Sequence, residues 1–471
     1  MRLLAVAVLA TLIPAGSLAA PAALDVETLL NASARHYPTI LRSLALQNEA
    51  QARTLEVEGA FDLVFEAESY QRATGFYDGI AIDGAVRQRL GSLGASVYAG
   101  YKISNGTFPI YEDIRFTNTG GAFKVGALFS LLRDRDIDED RFNRTDASLN
   151  LREAELNVLL TRIGVQQRAL LAYWQWVTIG YQLRVYKNLL RIAEERETGL
   201  EEQVRQGALA RIFLTENAQN ITRRQTLVTL AERDLALAAN SLSLFYRDDN
   251  GAPLTPVEVQ LPPGVQIREI DTMPVNEAMA LTDALQTRPE LDLLKTAIER
   301  ESNRLTLQEN ALKPRLDLAI EVQEGGLGAI AEGGPSRDTT DTVVGLTFSV
   351  PLQRRDARGK IDQSRAKLDA KRAEQQLREE QIRVEVRNLI VDLRISRELL
   401  SLAALEVRQS ELLRASERRR FESGASDFFL VNLREEAAAD ARIKLLDAEF
   451  RTRVARANLD AATVNLERLG L

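Results

Sequence analysis

Two stretches decide the fold. The first is Arg315-Leu316-Asp317-Leu318-Ala319-Ile320-Glu321-Val322-Gln323, and its return is Val343-Val344-Gly345-Leu346-Thr347-Phe348-Ser349-Val350. Leu316, Leu318, Ile320 and Val322 alternate with Asp317, Ala319, Glu321 and Gln323; Val344, Leu346, Phe348 and Val350 alternate with Val343, Gly345, Thr347 and Ser349. A strand points successive side chains to opposite faces, so each stretch has one apolar face and one polar or small face. Strands of about ten residues with this pattern suit a sheet with lipid on one side and water on the other. The edge of a soluble β-sandwich fits the alternation equally well, and the flanking sequence has to separate the two.

Working outward, the same design recurs earlier in the chain. Leu63, Phe65 and Ala67 alternate with Val64, Glu66 and Glu68, and Phe123, Val125, Ala127, Phe129 and Leu131 alternate with Lys124, Gly126, Leu128 and Ser130. Val125-Gly126-Ala127-Leu128-Phe129-Ser130-Leu131 resembles Val344-Gly345-Leu346-Thr347-Phe348-Ser349-Val350, and Pro38 pairs with Pro289 as Gly207 pairs with Gly424. The chain is therefore read as a duplication, which has to be recognised before any fold is assigned. The first repeat covers 20–245, with a helix over 24–60, a strand region over 61–132 and a long helical hairpin over 136–245. The second covers 277–471, with a helix over 277–313, a strand region over 314–351 and a hairpin over 356–470. A Pro-rich linker over 246–276 joins them. Residues 76–118 are extra in the first repeat; Ala95, Val97, Ala99, Tyr101 and Ile103 alternate there too, which reads as a lengthened hairpin. The flanking helices of each half lie on one side of the sheet, so crossings per half are even, and two per half are expected. Four strands cannot close a useful barrel, and their open edges require identical neighbours.

No proline occurs between Pro109 and Pro253 or after Pro351, whereas Pro253, Pro256, Pro262, Pro263 and Pro274 cluster. Proline costs about 3 kcal/mol inside a helix, so these gaps permit very long helices. Ile382, Val386, Leu389, Leu393, Leu400, Ala403 and Val407 recur at spacings of three and four, with Ser396 filling one gap, which is a coiled-coil seam. From Asp136 to Gly207 is about seventy residues, or roughly 100 Å of helix. Gly207 and Gly424 are read as the turns of helical hairpins.

Arg2, the uncharged run Leu3–Ile13 and the small residues Ser17-Leu18-Ala19 match a secretory signal peptide, here taken as residues 1–19. No later segment is apolar enough for a membrane helix, so a membrane crossing has to be a β-barrel. The 471 residues include no cysteine and one histidine, and the net charge is −7. Thiolate chemistry and disulfides are excluded, a histidine-based metal site needs a partner that His36 lacks, and an acidic chain is a poor nucleic-acid binder. Glu66, Glu68, Asp317 and Glu321 do not assemble a nucleophile, base and oxyanion site, because alternation sends them to a lumen wall with Lys124. No catalytic residue, metal or cofactor is expected. His36, beside Tyr37 and Pro38, and the Trp174/Trp176 pair are read as packing residues.

Arg288-Pro289-Glu290-Leu291 opening a helix, Pro314-Arg315-Leu316-Asp317-Leu318 leading into a strand, Val344 to Pro351 ending the return, and Arg420-Phe421, Gly424 and Ser426-Asp427 at a hairpin resemble the TolC family of bacterial outer-membrane efflux channels (outer membrane factors). The resemblance spans essentially the whole mature chain. It implies a mainly α fold with a transmembrane β region: a homotrimer whose twelve-stranded β-barrel in outer-membrane lipid continues as an α-helical tunnel through the periplasm. It implies a passive exit duct for efflux or type I secretion, opened at its periplasmic tip by an adaptor (membrane fusion) protein and an inner-membrane pump. Gly207, Ala208, Leu209, Gly424, Ala425 and Ser426 then fall at the adaptor-contacting tips. Arg205, Arg211, Asp427 and Arg434 become candidates for ion pairs that hold a gate, and Phe213, Leu430 and Leu433 stand where the best-known member has acidic residues. The competing class is a periplasmic coiled-coil scaffold or adaptor without a pore, for which the apolar faces of the strands have no use.

Overall fold

The computed structural model describes residues 22–263, 274–326 and 339–471; the signal-peptide segment 1–19 lies outside them. The chain is mainly helical, with one antiparallel sheet. Helices α1 (Val26–His36) and α2 (Pro38–Glu58) lead into strands β1 (Val64–Gln71), β2 (Ile80–Arg89), β3 (Ala95–Asn105) and β4 (Ala122–Ser130), followed by α3 (Glu139–Arg205) and α4 (Ile212–Ser243). Helices α5 (Glu277–Thr287) and α6 (Pro289–Asn310) lead into β5 (Arg315–Gly325) and β6 (Thr340–Ser349), followed by α7 (Arg355–Glu422) and α8 (Phe428–Ala462). Each half replaces its single expected leading helix by two, with α2 and α6 starting on Pro38 and Pro289. A proline at the first helical position loses no hydrogen bond, and it pushes the preceding residue, Tyr37 or Arg288, into the extended conformation that ends the helix before it.

The strand count corrects the expectation of two strands for the first half, which has four, while the second half has the two expected. Strand order is β1-β2-β3-β4-β5-β6, six strands rather than four, each paired antiparallel with its sequence neighbour. The extra 76–118 segment does not lengthen a hairpin. It adds a full one, β2–β3, whose ladder runs from Ile80↔Asn105 to Arg89↔Ser96. The even parity survives: α2 and α6 enter the sheet at the end from which α3 and α7 leave it. The β2–β3 turn reaches that same end, where the Ser130 amide donates to the Gly94 carbonyl at 3.2 Å.

Two compact units divide the chain. One holds the sheet with the adjoining helical segments, residues 42–161 and 288–383. Within it the β4–α3 corner is tied to the end of α6: the Asn310 amide donates to Asp134 Oδ1 at 2.9 Å and to the Ile137 carbonyl at 3.0 Å. Arg300 of α6 binds Asp146 of α3 at 2.9 and 3.0 Å and Glu153 at 2.9 Å, and its hydrogen bond to Asp146 raises the guanidinium pKa above its ordinary value.

The other unit is helical and holds both hairpin ends. Its core is a column of apolar side chains around the fully buried Trp176, with Tyr173, Val177 and Leu183 on the same helix. The Tyr173 hydroxyl donates to the Leu24 carbonyl at 2.9 Å, and burial pushes its pKa above the ordinary phenol value. Arg453 stacks over Trp174 at 3.9 Å, and Tyr37 beside His36 stacks on Phe245 at 5.2 Å. In α7 the apolar repeat is the packed face: Val386, Leu393, Ser396 and Ala403 are buried. Removing a buried indole costs about 3–5 kcal/mol. Trp176→Ala therefore lowers the denaturant midpoint of the helical signal, while Trp174→Ala, at a half-buried position and losing the Arg453 stack and an edge contact with Tyr173, shifts it less. Equal shifts would contradict this placement.

Candidate functional site

The sheet separates chemistry by face. Register places Phe65 opposite Val86, Val86 opposite Ala99, Ala99 opposite Val125, Val125 opposite Val322 and Ile320 opposite Val344, so one face stays apolar across all six strands. Its side chains are mostly uncovered; Phe65 is 70% exposed and Leu346 68%. Opposite-sign neighbours collect on the other face, to which the register brings Glu66, Glu68, Lys124, Asp317 and Glu321. Lys124 Nζ lies 2.6 Å from Asp83 Oδ2. Glu321 accepts a hydrogen bond from the Tyr98 hydroxyl, and Arg87 lies 5.4 Å over the Tyr98 ring. Asp317 is 5% exposed and receives Arg315 at 2.6 Å and the Ser130 hydroxyl at 3.3 Å. Glu66 and Glu68 stay exposed. Tyr98 lies flat across the sheet because Gly126 has no side chain; a Cβ there would stand 2.3 Å from the ring.

Asp83, Arg87 and Tyr98 belong to the same face but escaped the sequence reading. The alternation Ile82/Asp83 and Val86/Arg87 was their signal, interrupted by Gly84 and Ala85.

The hairpin ends lie in the helical unit. Both use one device: Gly207 and Gly424 have φ of +74°, the left-handed conformation that glycine adopts at no steric cost. The amide of Gly207 donates to the Val204 carbonyl and that of Ala208 to Gln203; the amides of Gly424 and Ala425 donate likewise to Phe421 and Arg420. These paired bonds satisfy carbonyls that a helix end otherwise leaves open. Ala208 and Ala425 are exposed, whereas Leu209 and Ser426 are half-buried.

The charged residues at the ends are placed as follows. Arg205 pairs with Glu202 on its own helix. Asp427 caps α8, accepting from the Leu430 amide at 2.8 Å. Arg211 is exposed at the start of α4, and Arg434 is half-buried. Phe213 turns inward: its ring meets Phe428 edge-on at 6.0 Å, and Phe428 in turn meets Phe421 at 6.5 Å. Leu430 is half-buried; the exposed apolar residues here include Ile212 of α4 and, one helical turn apart on α8, Phe429 and Leu433.

Behind the ends lies a buried charge cluster that the sequence reading missed. Glu435 of α8, 4% exposed, binds Arg196 of α3 and receives Arg224 of α4 at 3.1 Å. Arg224 also donates to the Leu189 carbonyl at 2.9 Å, and Asn432 accepts from Arg196 at 2.6 Å. Burial lowers the Arg224 pKa from its ordinary value, an effect that Glu435 opposes. The signal was Asn217 and Arg224 standing in the buried stripe of α4 with Val228, Ala231 and Leu235. Breaking a buried pair leaves an uncompensated charge and costs about 3–5 kcal/mol, whereas a lost neutral hydrogen bond costs about 1 kcal/mol. Glu435→Gln should therefore open the hairpin ends to trypsin far more than Asn432→Ala. Comparable digestion rates for the two would refute the cluster's role in joining α3, α4 and α8.

Comparison with known proteins agrees with these two features, the two-faced sheet and the paired long hairpins. Residues 280–464 match the family model described as outer membrane efflux protein. The fold matches the Neisseria gonorrhoeae MtrE outer membrane channel, solved in its open state, with a TM-score of 0.64, 14% identity, and 93% of this chain and 88% of that one covered. It also matches the outer membrane protein VceC from Vibrio cholerae (TM-score 0.62, 14% identity, 93% and 95% covered). The Campylobacter jejuni CmeC outer membrane channel matches with a TM-score of 0.61 and 12% identity, over 94% and 89% of the two chains. No sequence among the curated proteins matches the chain. The fold is that of an outer-membrane channel protein. The outer membrane efflux protein match falls on the second of the two repeats, and the shared fold extends over nearly the whole chain.

Proposed function

We propose that three copies of this chain close into one outer-membrane duct, each β6 edge pairing with the β1 edge of the next copy. The carrying observation is the continuous apolar face across six strands, backed by a charged face and served by helices from one end only. Six is even, so β6 of one copy meets β1 of the next antiparallel, as every other pair in the sheet does. Three copies give eighteen strands rather than twelve. Barrel diameter grows roughly in proportion to strand number, so the bore is about half as wide again. Phe65, Phe123, Leu346 and Phe348 face lipid; Glu66, Glu68, Asp83, Lys124, Asp317 and Glu321 face the lumen. A soluble scaffold offers nothing to cover the exposed apolar face, which argues against the coiled-coil alternative.

In this reading α3, α4, α7 and α8 build the periplasmic tunnel. The 67 residues of α3 alone give a helix of about 100 Å. The signal peptide sends the chain out of the cytoplasm. The exposed turns Gly207-Ala208 and Gly424-Ala425 meet the periplasmic adaptor, through which an inner-membrane pump drives efflux or secretion. Phe429 and Leu433 of three copies form an apolar constriction, a gate that closes by excluding water. Arg211 and Arg434 are the remaining candidates to hold it, since Arg205 and Asp427 serve their own helices.

An arginine at the midplane of a lipid-facing strand costs about 2–4 kcal/mol. Leu346→Arg is therefore expected to deplete trimer from outer-membrane fractions, while Thr347→Arg, on the opposite face, leaves it in place. Electron microscopy of the detergent-extracted trimer is expected to resolve eighteen strands in end view. A twelve-stranded barrel, or equal tolerance of both arginines, would refute the assembly.

A further inference from the structure

The segment between β3 and β4 does not extend away from the sheet. It folds back over the polar face. Glu68 and Tyr70 of β1 and Lys102 and Ser104 of β3 belong to that face by register, and the segment is fastened to each of these four. Glu112 binds Arg72, just past the end of β1, and lies 3.4 Å from the Tyr70 hydroxyl. Arg115 stacks 3.7 Å above the Tyr70 ring and lies 3.8 Å from Glu68. Lys102 donates to the Ile114 carbonyl. Thr117 and Ser104 exchange two bonds, each backbone amide donating to the other's hydroxyl oxygen, at 2.9 and 2.7 Å.

The segment is packed as well as fastened. Phe116, Thr117 and Asn118 are buried, and the Phe108 ring occupies the space that a side chain at Gly79 would fill. At its start, Thr107 donates to Asp78 at 2.8 Å; at its end, the Gly326 amide donates to Gly121 at 2.7 Å. Anchors at both ends and along its length hold it across three strands. Among its described side chains, the large uncovered ones are Tyr111 and Ile114, 80% and 77% exposed.

We propose that residues 106–121 form a constriction loop inside the outer mouth of the channel, and that this loop, not the strand wall, sets the largest solute that leaves. The inference rests on the reading of the polar face as a lumen. An eighteen-stranded wall leaves a wide aqueous bore, as barrels of sixteen to eighteen strands do. A loop latched over that face narrows it, and Tyr111 and Ile114 give the narrowed passage an apolar lip. The Arg72–Glu112 pair is the latch: side chains from the start of the β1–β2 connection and from the loop itself, two-thirds or more covered, so solvent screens it only in part.

The chain contains no cysteine, so a single introduced thiol reports alone. Ala319→Cys puts one on the polar face of β5, opposite Gly345 and Leu128. Intact cells are treated from outside with impermeant maleimides carrying polyethylene glycol of increasing size. With the loop intact, small reagents label and large ones do not. In Arg72→Ala/Glu112→Ala, and in a second variant with 108–115 replaced by a Gly/Ser linker of equal length, large reagents label on the order of tenfold faster, as expected where a pore-lining element sets access. Large reagents entering at the same rate with and without the latch and loop would overturn the constriction while leaving the lumen intact. Failure of the smallest reagent in every variant, with trimer present, would overturn the lumen itself.

Discussion

The β4–β5 ladder is the constraint on which the remainder depends. It pairs Phe129 with Leu318, Ala127 with Ile320 and Val125 with Val322, joining residues nearly two hundred positions apart. A strand's faces alternate with period two, so a slip of one residue would turn the whole apolar set of the second half toward the charged face of the first. The cost of that error is what fixes the register: Asp317 and Glu321 would lose Ser130 and Tyr98 and join the apolar face in place of Leu318 and Ile320. Because this one junction is specified by both faces at once, four strands from the first half and two from the second behave as a single surface. The helices that follow β4 and β6 then leave from the same end without further instruction.

The helical unit meets a different problem. Long helices with an apolar seam pack in several registers, since one leucine replaces another at little cost. The Arg196–Glu435–Arg224 cluster removes that freedom near the hairpin ends. A buried carboxylate between two guanidinium groups is satisfied in one alignment of α3, α4 and α8 and left charged and bare in the others. Charges at the tips themselves are exposed and contribute little, about 0–1 kcal/mol per pair. The alignment of the bundle is therefore set behind the tips, while the tips stay free to meet a partner.

How much of this was readable from the residues follows from the range of the interactions involved. Period-two stretches such as 315–323 and the three-four seam from Ile382 to Val407 are local patterns, and both mark their elements in the chain alone. The helix ends at Gly207 and Gly424 are local too, since a left-handed residue after a long helix is a backbone requirement. The β2–β3 hairpin was harder because Gly84, Gly91, Gly94 and Gly100 interrupt its alternation, and glycine carries no sign of which face it occupies. Gly100 shows why one of them is there: a Cβ at that position would stand 2.8 Å from the Lys124 side chain, a requirement visible only once β3 and β4 are paired. Partners remote in sequence, such as Glu435 for Arg224 or Phe428 for Phe213, leave no local mark. An arginine in a helical stripe reads as solvated until a carboxylate 211 positions away is brought against it.

In the proposed channel, the added hairpin also accounts for the build of the outer mouth. An insertion into this sheet has to come in pairs of strands: a single added strand would reverse the direction of everything after it and send α3 out of the opposite end from α7. A pair preserves direction, register parity and the two-faced pattern, and β2–β3 meets all three, with Ile82 and Val97 on the apolar face and Asp83, Lys102 and Tyr98 on the other. What a pair cannot preserve is circumference. Among the described residues the long helices remain four, so in the proposed trimer the wall would widen at the membrane without any matching change in the bundle. A wider wall exposes more of the cell to outside solutes unless something occupies the added cross-section. The connection that the same insertion creates, from Asn105 to Ala122, lies across the polar face of the strands it brought with it. Widening and narrowing thus arise from one segment of chain, and the anchors at Tyr70, Arg72, Lys102 and Ser104 are the point at which the two effects are balanced.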